Sequence, residues 1–370
     1  MSTWREMDSE IDEFEETDDD ADEVKGYSPV SRQKKNRRKY FWLVFIVVLI
    51  VISVFFAYVS YIRAKYNRMV AGYKAGTIEN TKNIFLPGKL SGEETGDVNL
   101  LFVGMRDKSM YGAYYSSAMM VVNIDIKNNH INLISIPRDL WIPIDGNPGK
   151  ANSVLKTAID NPNKYPENGL PFVKNTFSNI LGIDINYIFT CDFDSFQKII
   201  NQIGAVNVKM SDAEAKNYPF LKFGEFSSSK DKANPGLYHF DGPQSLTFVS
   251  WPKDAVPDFD RLRRMQLFMF SFAEQYIDNR SLLKFKTINN VLNVSEDNIR
   301  TNMQVWELKK IINLGEKTPL ANIKQHKLTT DPTDPGGLLR ESHYFNTTYS
   351  PIAGDNDFSA IQNWVKSILK

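Results

Sequence analysis

Three short segments gather the residue types able to do chemistry: Ser135-Ile-Pro-Arg-Asp139, Asp192-Phe-Asp-Ser-Phe196 and Pro257-Asp-Phe-Asp-Arg-Leu-Arg-Arg-Met-Gln266. Arg138 follows an apolar run and a proline, so it is expected at a strand end, where α/β sheets bind ligands. A guanidinium fixed there suits a phosphate or pyrophosphate, because its fork donates two parallel hydrogen bonds. The competing assignment is an ion pair between Arg138 and Asp139 or another neighbour. Arg261, Arg263 and Arg264 stand in the first turns of a predicted helix, behind Asp258 and Asp260. Arg261 and Arg264 are spaced to share one face. They pair with the upstream aspartates or converge on an anion, and spacing alone favours a solvated face.

Several chemistries lack their signature. His130, His239, His326 and His343 are scattered, with no spacing that puts two on one face for a metal. No nucleophile elbow, phosphate-binding loop or dinucleotide fingerprint is present. Cys191 is the single cysteine, so no intrachain disulfide can form. Flanked by Ile-Phe-Thr and Asp-Phe, it is expected to be a small core residue.

Strands and helices must position these groups. Val98 to Gly104, Met119 to Ile126 and Ile131 to Ile136 are near-continuous apolar runs, the pattern of strands covered on both faces. Lys127 to His130 suits a hairpin. A helix is expected over Phe172 to Leu181, stopped by Gly182, and a strand over Tyr187 to Phe193. A helix capped by Asp194 should follow, ending at Gly204. Val206 and Val208 begin a further strand. Helical patterns recur over Arg261 to Ile277, Gln304 to Leu314 and Phe358 to Leu369, the last with Phe358, Ile361, Trp364, Val365 and Ile368 on one face. The alternation indicates a layered α/β domain.

Charge is balanced overall, 44 basic against 44 acidic residues, but unevenly distributed. Glu6 to Glu23 is mostly acidic and lacks the apolar residues a core needs, so residues 1–40 are expected to be a disordered tail. Arg32, Lys34, Lys35, Arg37, Arg38 and Lys39 form a basic block immediately before Phe41 to Ile62, an uncharged apolar run long enough to span a bilayer as a helix. Its length and the missing small-residue cleavage site indicate a signal anchor rather than a cleaved signal peptide. The basic block places the N-terminus in the cytoplasm and the domain outside the cell membrane. Residues 63–95 read as a stalk and 96–370 as the extracytoplasmic domain. The absence of disulfides suits a bacterial envelope. No positive footprint of nucleic-acid size is evident.

Ordered segments of the outer domain carry a family resemblance. Val98-Asn-Leu-Leu-Phe-Val-Gly104, Met119-Met-Val-Val-Asn-Ile, Leu133-Ile-Ser-Ile-Pro-Arg-Asp139, Asp192-Phe-Asp-Ser-Phe-Gln-Lys-Ile-Ile-Asn-Gln-Ile-Gly204, Leu237 to Gly242, Ser245-Leu-Thr-Phe-Val249 and Ile299-Arg-Thr301 together resemble the LytR-CpsA-Psr family. The resemblance implies a three-layer α/β/α domain with an apolar pocket for a polyprenyl chain. It also implies a Mg²⁺-assisted phosphotransferase moving glycopolymers from polyprenyl pyrophosphate carriers onto peptidoglycan. In such a site aspartates hold the metal, arginines neutralise the pyrophosphate and an acidic group activates the acceptor hydroxyl.

The reactive positions depart from the family pattern. Arg106 stands where the family has an aspartate, leaving Asp107, one residue along, as the candidate metal carboxylate. The family's Arg-Ser-Asp-Thr is Tyr115-Ser116-Ser117-Ala118 here, and its Tyr-Val-Arg-x-Arg is Phe248-Val249-Ser250-Trp251-Pro252. Its Arg-Gln-Gln becomes Arg264-Met265-Gln266. What remains implies Asp258 and Arg261 as catalytic residues, and Arg138, Arg264, Arg106 and Lys150 as pyrophosphate ligands. Losing these carboxylates removes a Mg²⁺ site that demands hard oxygen donors in octahedral geometry. A binding protein for polyprenyl (pyro)phosphate lipids in envelope glycopolymer assembly is therefore expected. An active transferase with a rebuilt site, using Mg²⁺, is the alternative. A membrane-bound transcriptional attenuator is the third reading, opposed by an acidic cytoplasmic tail with no DNA-binding helix pair.

Overall fold

The apolar run after Gly96 forms β1, Asp97–Met105, and it pairs antiparallel with β2, Ser116–Asp125. The computed structural model describes residues 88–222, 226, 230–231, 233–251, 258–277, 298–343 and 348–370, with scattered positions between 53 and 61. The chain divides into two units, Met1–Val59 and Ser60–Lys370, and the strands and helices of the domain all belong to the second. The tail at 1–40, nearly all of the apolar run at 41–62 and the stalk up to 87 lie outside the described residues. Among the described residues no helix is long and apolar enough to cross a membrane.

β2 turns back through Ile126 to Asn129 into β3, His130–Ser135, as the hairpin pattern predicts. A two-stranded ribbon follows, β4 Trp141–Ile144 and β5 Asn147–Lys150. Asp145 and Gly146, with φ of 55° and 80°, supply the paired left-handed residues that a tight hairpin turn requires. Helices α1, Val154–Asp160, and α2, Leu170–Leu181, lead to β6, Tyr187–Asp192. Helix α3, Phe193–Ile203, begins on Asp192, whose side chain accepts from the Ser195 backbone N–H; this corrects the expected cap at Asp194.

A side lobe comes next. Strand β7, Val206–Lys209, helix α4, Asp212–Ala215, strand β8, Leu237–Phe240, and helix α5, Gly242–Ser250, surround an aromatic core that includes Tyr218, Phe240 and Phe248. The chain re-enters the main domain with α6, Phe259–Phe272, which continues as a π turn over Ala273–Ile277. The remaining elements are β9 Ile299–Thr301, α7 Val305–Lys317, β10 Ile323–Lys327, β11 Leu339–Glu341, β12 Tyr349–Pro351 and α8 Ser359–Ile368.

The central sheet has six strands in the order β10-β3-β2-β1-β6-β9. β1 and β6 are parallel, as are β3 and β10, while β2 and β9 run against their neighbours. Alternation sends Leu101, Val103, Met119, Val121 and Ile134 to one face, under α1, α2 and α8. Val98, Met120, Ile124, Ile131 and Leu133 go to the other, under α6 and α7. Helices therefore cover both faces, which is why the strands read as unbroken apolar runs. A row of buried amides crosses the sheet: Asn123 donates to Asn99 at 2.9 Å, Asn132 donates to Asn123 at 3.0 Å, and the His326 ring lies 3.2 Å from Asn132.

Candidate functional site: a braced cation cluster at the strand ends

The C-terminal ends of β1, β3, β6 and β10 and the N-terminal end of β2 share one edge of the sheet. Arg138 and Asp139 leave β3 there. Their main chain is pinned from two sides, Asn152 N–H donating to the Arg138 carbonyl at 2.9 Å and Tyr349 N–H to the Asp139 carbonyl at 3.1 Å. The β4–β5 ribbon brings back Lys150, whose Nζ donates to Asp139 Oδ1 at 2.8 Å. Arg138 Nε lies 3.4 Å from Asp139 Oδ2 and 3.6 Å from Asp258 Oδ2. Arg261 grips Asp258 with both prongs of its fork, Nε to Oδ1 at 2.6 Å and Nη2 to Oδ2 at 2.5 Å. Lys150, Asp139, Arg138, Asp258 and Arg261 thus form one continuous chain of charge, with a cation in excess.

Arg261 is further tied by Nη1 to the main-chain carbonyl of Ser117. That carbonyl is available because of a bulge. Met105 pairs with Ser116 and Gly104 with Ala118, so Ser117 is the extra residue on β2 and has no partner on β1. Arg261 is 4% exposed and Arg264 1%, so the solvated-face expectation is corrected for both. Long guanidiniums are tolerated in the interior when their donors are matched, and these are.

The two buried arginines differ in what they meet. Arg264 donates by Nε to the Phe248 carbonyl at 2.7 Å, by Nη2 to the Trp251 carbonyl at 2.5 Å and by Nη1 to Asp260, with the Tyr218 ring 5.2 Å from its guanidinium. It staples α6 to α5 and the side lobe, and it does not enter the cluster as the expected phosphate ligand. Arg106 also stands apart: it is half-exposed and its Nη1 donates to the Tyr111 carbonyl at 3.1 Å, closing its own loop. The side chains that face solvent within the cluster are Arg138, 29% exposed, and Lys150, 32% exposed.

Burial pushes the Asp258 carboxyl up, but the Arg261 hydrogen bonds and charge, with Arg138 and Arg264 behind them, hold it below the usual carboxylate range. It is an anion at neutral pH and a poor proton acceptor, better suited to fixing guanidiniums than to general-base work. Tyr349, which carried no chemical signal in the sequence, belongs to the same cluster. Its hydroxyl accepts from the Asp258 backbone N–H, its ring packs on Phe259 with centroids 4.9 Å apart, and burial followed by the charges of Asp258 and Asp139 pushes its phenol up.

Whether these residues fit the Mg²⁺ that the resemblance implies is decided by their partners. Asp139 and Asp258 are each engaged by cations, so neither offers the free oxygens a hard cation requires. Asp107 accepts from the Asp194 backbone N–H at 2.9 Å and sits with Asp192 and Asp194 at the β6 side of β1. Arg138 and Asp139 leave β3, two strands from β1 and three from β6, so this group is about 10 to 15 Å across the sheet from the cluster. Among the described residues no three His, Cys, Asp or Glu side chains are grouped to hold a metal ion. The donor set does not fit Mg²⁺.

On the α6–α7 face, a cavity of about 240 Å³ is lined by Val122, Ile131, Leu133, Met269, Phe270 and Leu320 among others. It lies toward the far end of α6 from the cluster. Met269 is eight residues beyond Arg261, about 12 Å along the axis.

The LytR_cpsA_psr family pattern matches residues 59–361. The chain belongs to the LytR-CpsA-Psr family. It is 25% identical over 218 residues to the polyisoprenyl-teichoic acid–peptidoglycan teichoic acid transferase TagV of Bacillus subtilis, covering 56% of this chain and 50% of that protein. The transferase TagU of Bacillus anthracis is 27% identical over 53% of this chain and 58% of its own length. The regulatory protein MsrR of Staphylococcus aureus is 25% identical over 53% of this chain and 54% of its own. The match thus spans about half the length of these relatives. Among solved structures, TagT bound to LI-WTA aligns with a TM-score of 0.53 at 16% identity, over 76% of this chain and 92% of that one. Protein gbs0355 of Streptococcus agalactiae aligns at 0.51 and 20%, over 75% and 90%. The mixed α/β fold is the fold of these proteins.

Proposed function

We propose that this LytR-CpsA-Psr protein is a membrane-anchored component of envelope glycopolymer assembly that binds polyprenyl (pyro)phosphate lipids without a metal ion. The segment at 41–62 anchors it, with the N-terminus in the cytoplasm and the domain outside. The observation that carries the reading is the braced cluster. Asp139 and Asp258 hold Arg138 and Lys150 at the open strand edge, where two cations face solvent together. Arg261 acts from below as a positioning residue. Charge-assisted hydrogen bonds from a guanidinium and an ammonium neutralise a phosphate without Mg²⁺. The apolar cavity beneath α6 supports an isoprenoid tail lying along the same helix. At about 240 Å³ it is below the usual size of a small-molecule pocket, so it takes part of such a tail.

The test is binding and turnover of a polyprenyl pyrophosphate-linked sugar by the purified protein, with Mg²⁺ and with chelator. Equal affinity in both, no turnover, and a loss of roughly tenfold to a hundredfold in Arg138→Ala and in Lys150→Ala are expected. Binding abolished by chelator overturns the metal-free reading. Mg²⁺-dependent turnover, lost in Arg138→Ala, establishes instead a transferase with a rebuilt site, the reading favoured by the names of the TagU and TagV relatives.

A further inference from the structure

The stretch just before β1 is bound to the domain more closely than a connecting segment needs to be. Leu90 is 2% exposed and belongs to the same apolar cluster as Val98, Tyr187 and Ile311. Ser91 N–H donates to the Tyr187 hydroxyl at 2.9 Å, and that hydroxyl donates to Glu307 Oε1 at 2.8 Å. The other oxygen of Glu307 accepts from Gln304 N–H at 2.6 Å, which closes the first turn of α7. Lys310 Nζ donates to the Gly88 carbonyl at 2.9 Å and to both Glu93 oxygens, at 2.8 and 2.6 Å. Residues 88–93 thus form a strap. Glu307 and Lys310, to which it is fastened, stand three apart and share a face of α7, with Ile311 beside them.

The same helix walls the cavity. Gly315 and Glu316, toward the other end of α7, line it with Thr318 and Leu320, about 8 Å along the axis from Lys310. Val122, Ile131, Leu133 and Met269 line it too, and they share one apolar cluster with Leu90 and Ile311. The far end of α7 is hinged on the β2–β3 hairpin. Asn129 Nδ2 donates to the Lys317 carbonyl at 3.2 Å, and Asn129 Oδ1 accepts from the Thr318 hydroxyl at 3.0 Å. The near end is held by the strap. Lys310 and Glu93 are 26% and 27% exposed, and an ion pair so open to water is a weak, reversible fastening. The facing wall runs from the end of α6 into the π turn at Ala273, a form found chiefly at functional sites.

We infer that the strap is a latch on the tail cavity. Docked, it presses α7 onto the sheet and keeps the cavity small. Released, it lets α7 pivot on Asn129, so that the cavity lengthens beneath Ile311 and admits an isoprenoid tail. The inference rests on the reading of that cavity as the tail site and adds its regulation. A ligand taken up only by the released form has its affinity reduced by the fraction released, so weakening the latch tightens binding. By the same linkage, a bound tail loosens the strap.

Amide hydrogen exchange and equilibrium binding are measured on the full chain in lipid nanodiscs, for the parent, Lys310→Met and Tyr187→Phe. Lys156→Met is the control, breaking the Lys156–Asp160 ion pair on α1, against the opposite face of the sheet. The ligands are farnesyl phosphate and inorganic pyrophosphate. Both latch variants are expected to exchange roughly tenfold faster over residues 305–314. They should bind farnesyl phosphate roughly tenfold more tightly, with pyrophosphate affinity unchanged. Farnesyl phosphate added to the parent should speed exchange at the Leu90 and Ser91 amides, which donate to Glu93 and Tyr187. Unaltered exchange over 305–314 in both variants overturns the inference, as does farnesyl phosphate binding that is unchanged or weaker in both. Equal effects in Lys156→Met also overturn it, since general loosening then explains them. If farnesyl phosphate binds neither parent nor variants, the reading of the cavity as a tail site fails. The latch then stands on faster exchange over 305–314 in its two variants and falls without it.

Discussion

A buried guanidinium is worth what its partners make of it, and Arg261 shows both sides of that balance. Its fork neutralises Asp258, which is itself only 10% exposed, and removing it strands a carboxylate in the interior. Breaking a buried pair from one side typically costs about 3 to 5 kcal/mol. Arg261→Ala is expected to lose on that order in urea unfolding at pH 7. The pH dependence checks the cause. Asp258 has its folded pKa depressed, so its pairing contributes fully above the unfolded value, about 3.9, and is lost as pH falls through the lower folded value. The gap between variant and parent should therefore close on acidification. A gap that does not narrow as the pH falls below the unfolded carboxylate value would assign the loss to packing instead. Neither arginine's fate was visible in the sequence, because the deciding acceptors are main-chain carbonyls of Ser117, Phe248 and Trp251, remote from α6 in the chain. Asp192 was legible in principle, three residues ahead of the Ser195 amide it caps, but Asp194, two residues on and already in the first turn, offered the same side chain.

At the scale of elements, the strands were legible because both faces are covered, and alternation was not needed to find them. The amide row through Asn99, Asn123 and Asn132 was not legible, since it exists only once the register sets Asn99 opposite Asn123 and Asn123 opposite Asn132. Asn123→Ala deprives a buried acceptor on Asn99 and a buried donor on Asn132, and each orphaned group costs about 1 to 3 kcal/mol. Urea unfolding should show that loss. Pyrophosphate binding should be unchanged, because Asn99 lies six residues, about 20 Å, back along β1 from the cluster edge. A binding defect would mean the sheet transmits strain between its ends. The β4–β5 ribbon that delivers Lys150 did carry a signal, the Asp145-Gly146 pair, the strongest short-range mark of a tight hairpin.

For the whole molecule, α8 shows how far the fold extends beyond its most recognisable part. The family match ends at residue 361, yet Ile361, Trp364 and Val365 close the core over the sheet face opposite α6. Burying three such side chains contributes about 5 to 9 kcal/mol, comparable with the total stability of a domain. Truncation after Asp357 is expected to give a chain with no cooperative urea transition. A truncated protein that still unfolds cooperatively would show that the sheet and the other helices suffice. This helix was legible from its apolar stripe alone. The side lobe was not, because its two strands pair with each other and its core is aromatic, so nothing in the chain distinguishes it from the main sheet.

The bulge at Ser117 makes the anchor of Arg261 unusual in how it is inherited. The acceptor is a peptide oxygen, so exchanging the side chain at position 117 does not by itself remove it, although the buried serine leaves room for only a small replacement. What can delete it is a one-residue slip in the β1–β2 alignment, which would return that oxygen to the ladder. The bond is written in spacing rather than in spelling, and an insertion or deletion in the loop before it endangers the site more than any substitution within it.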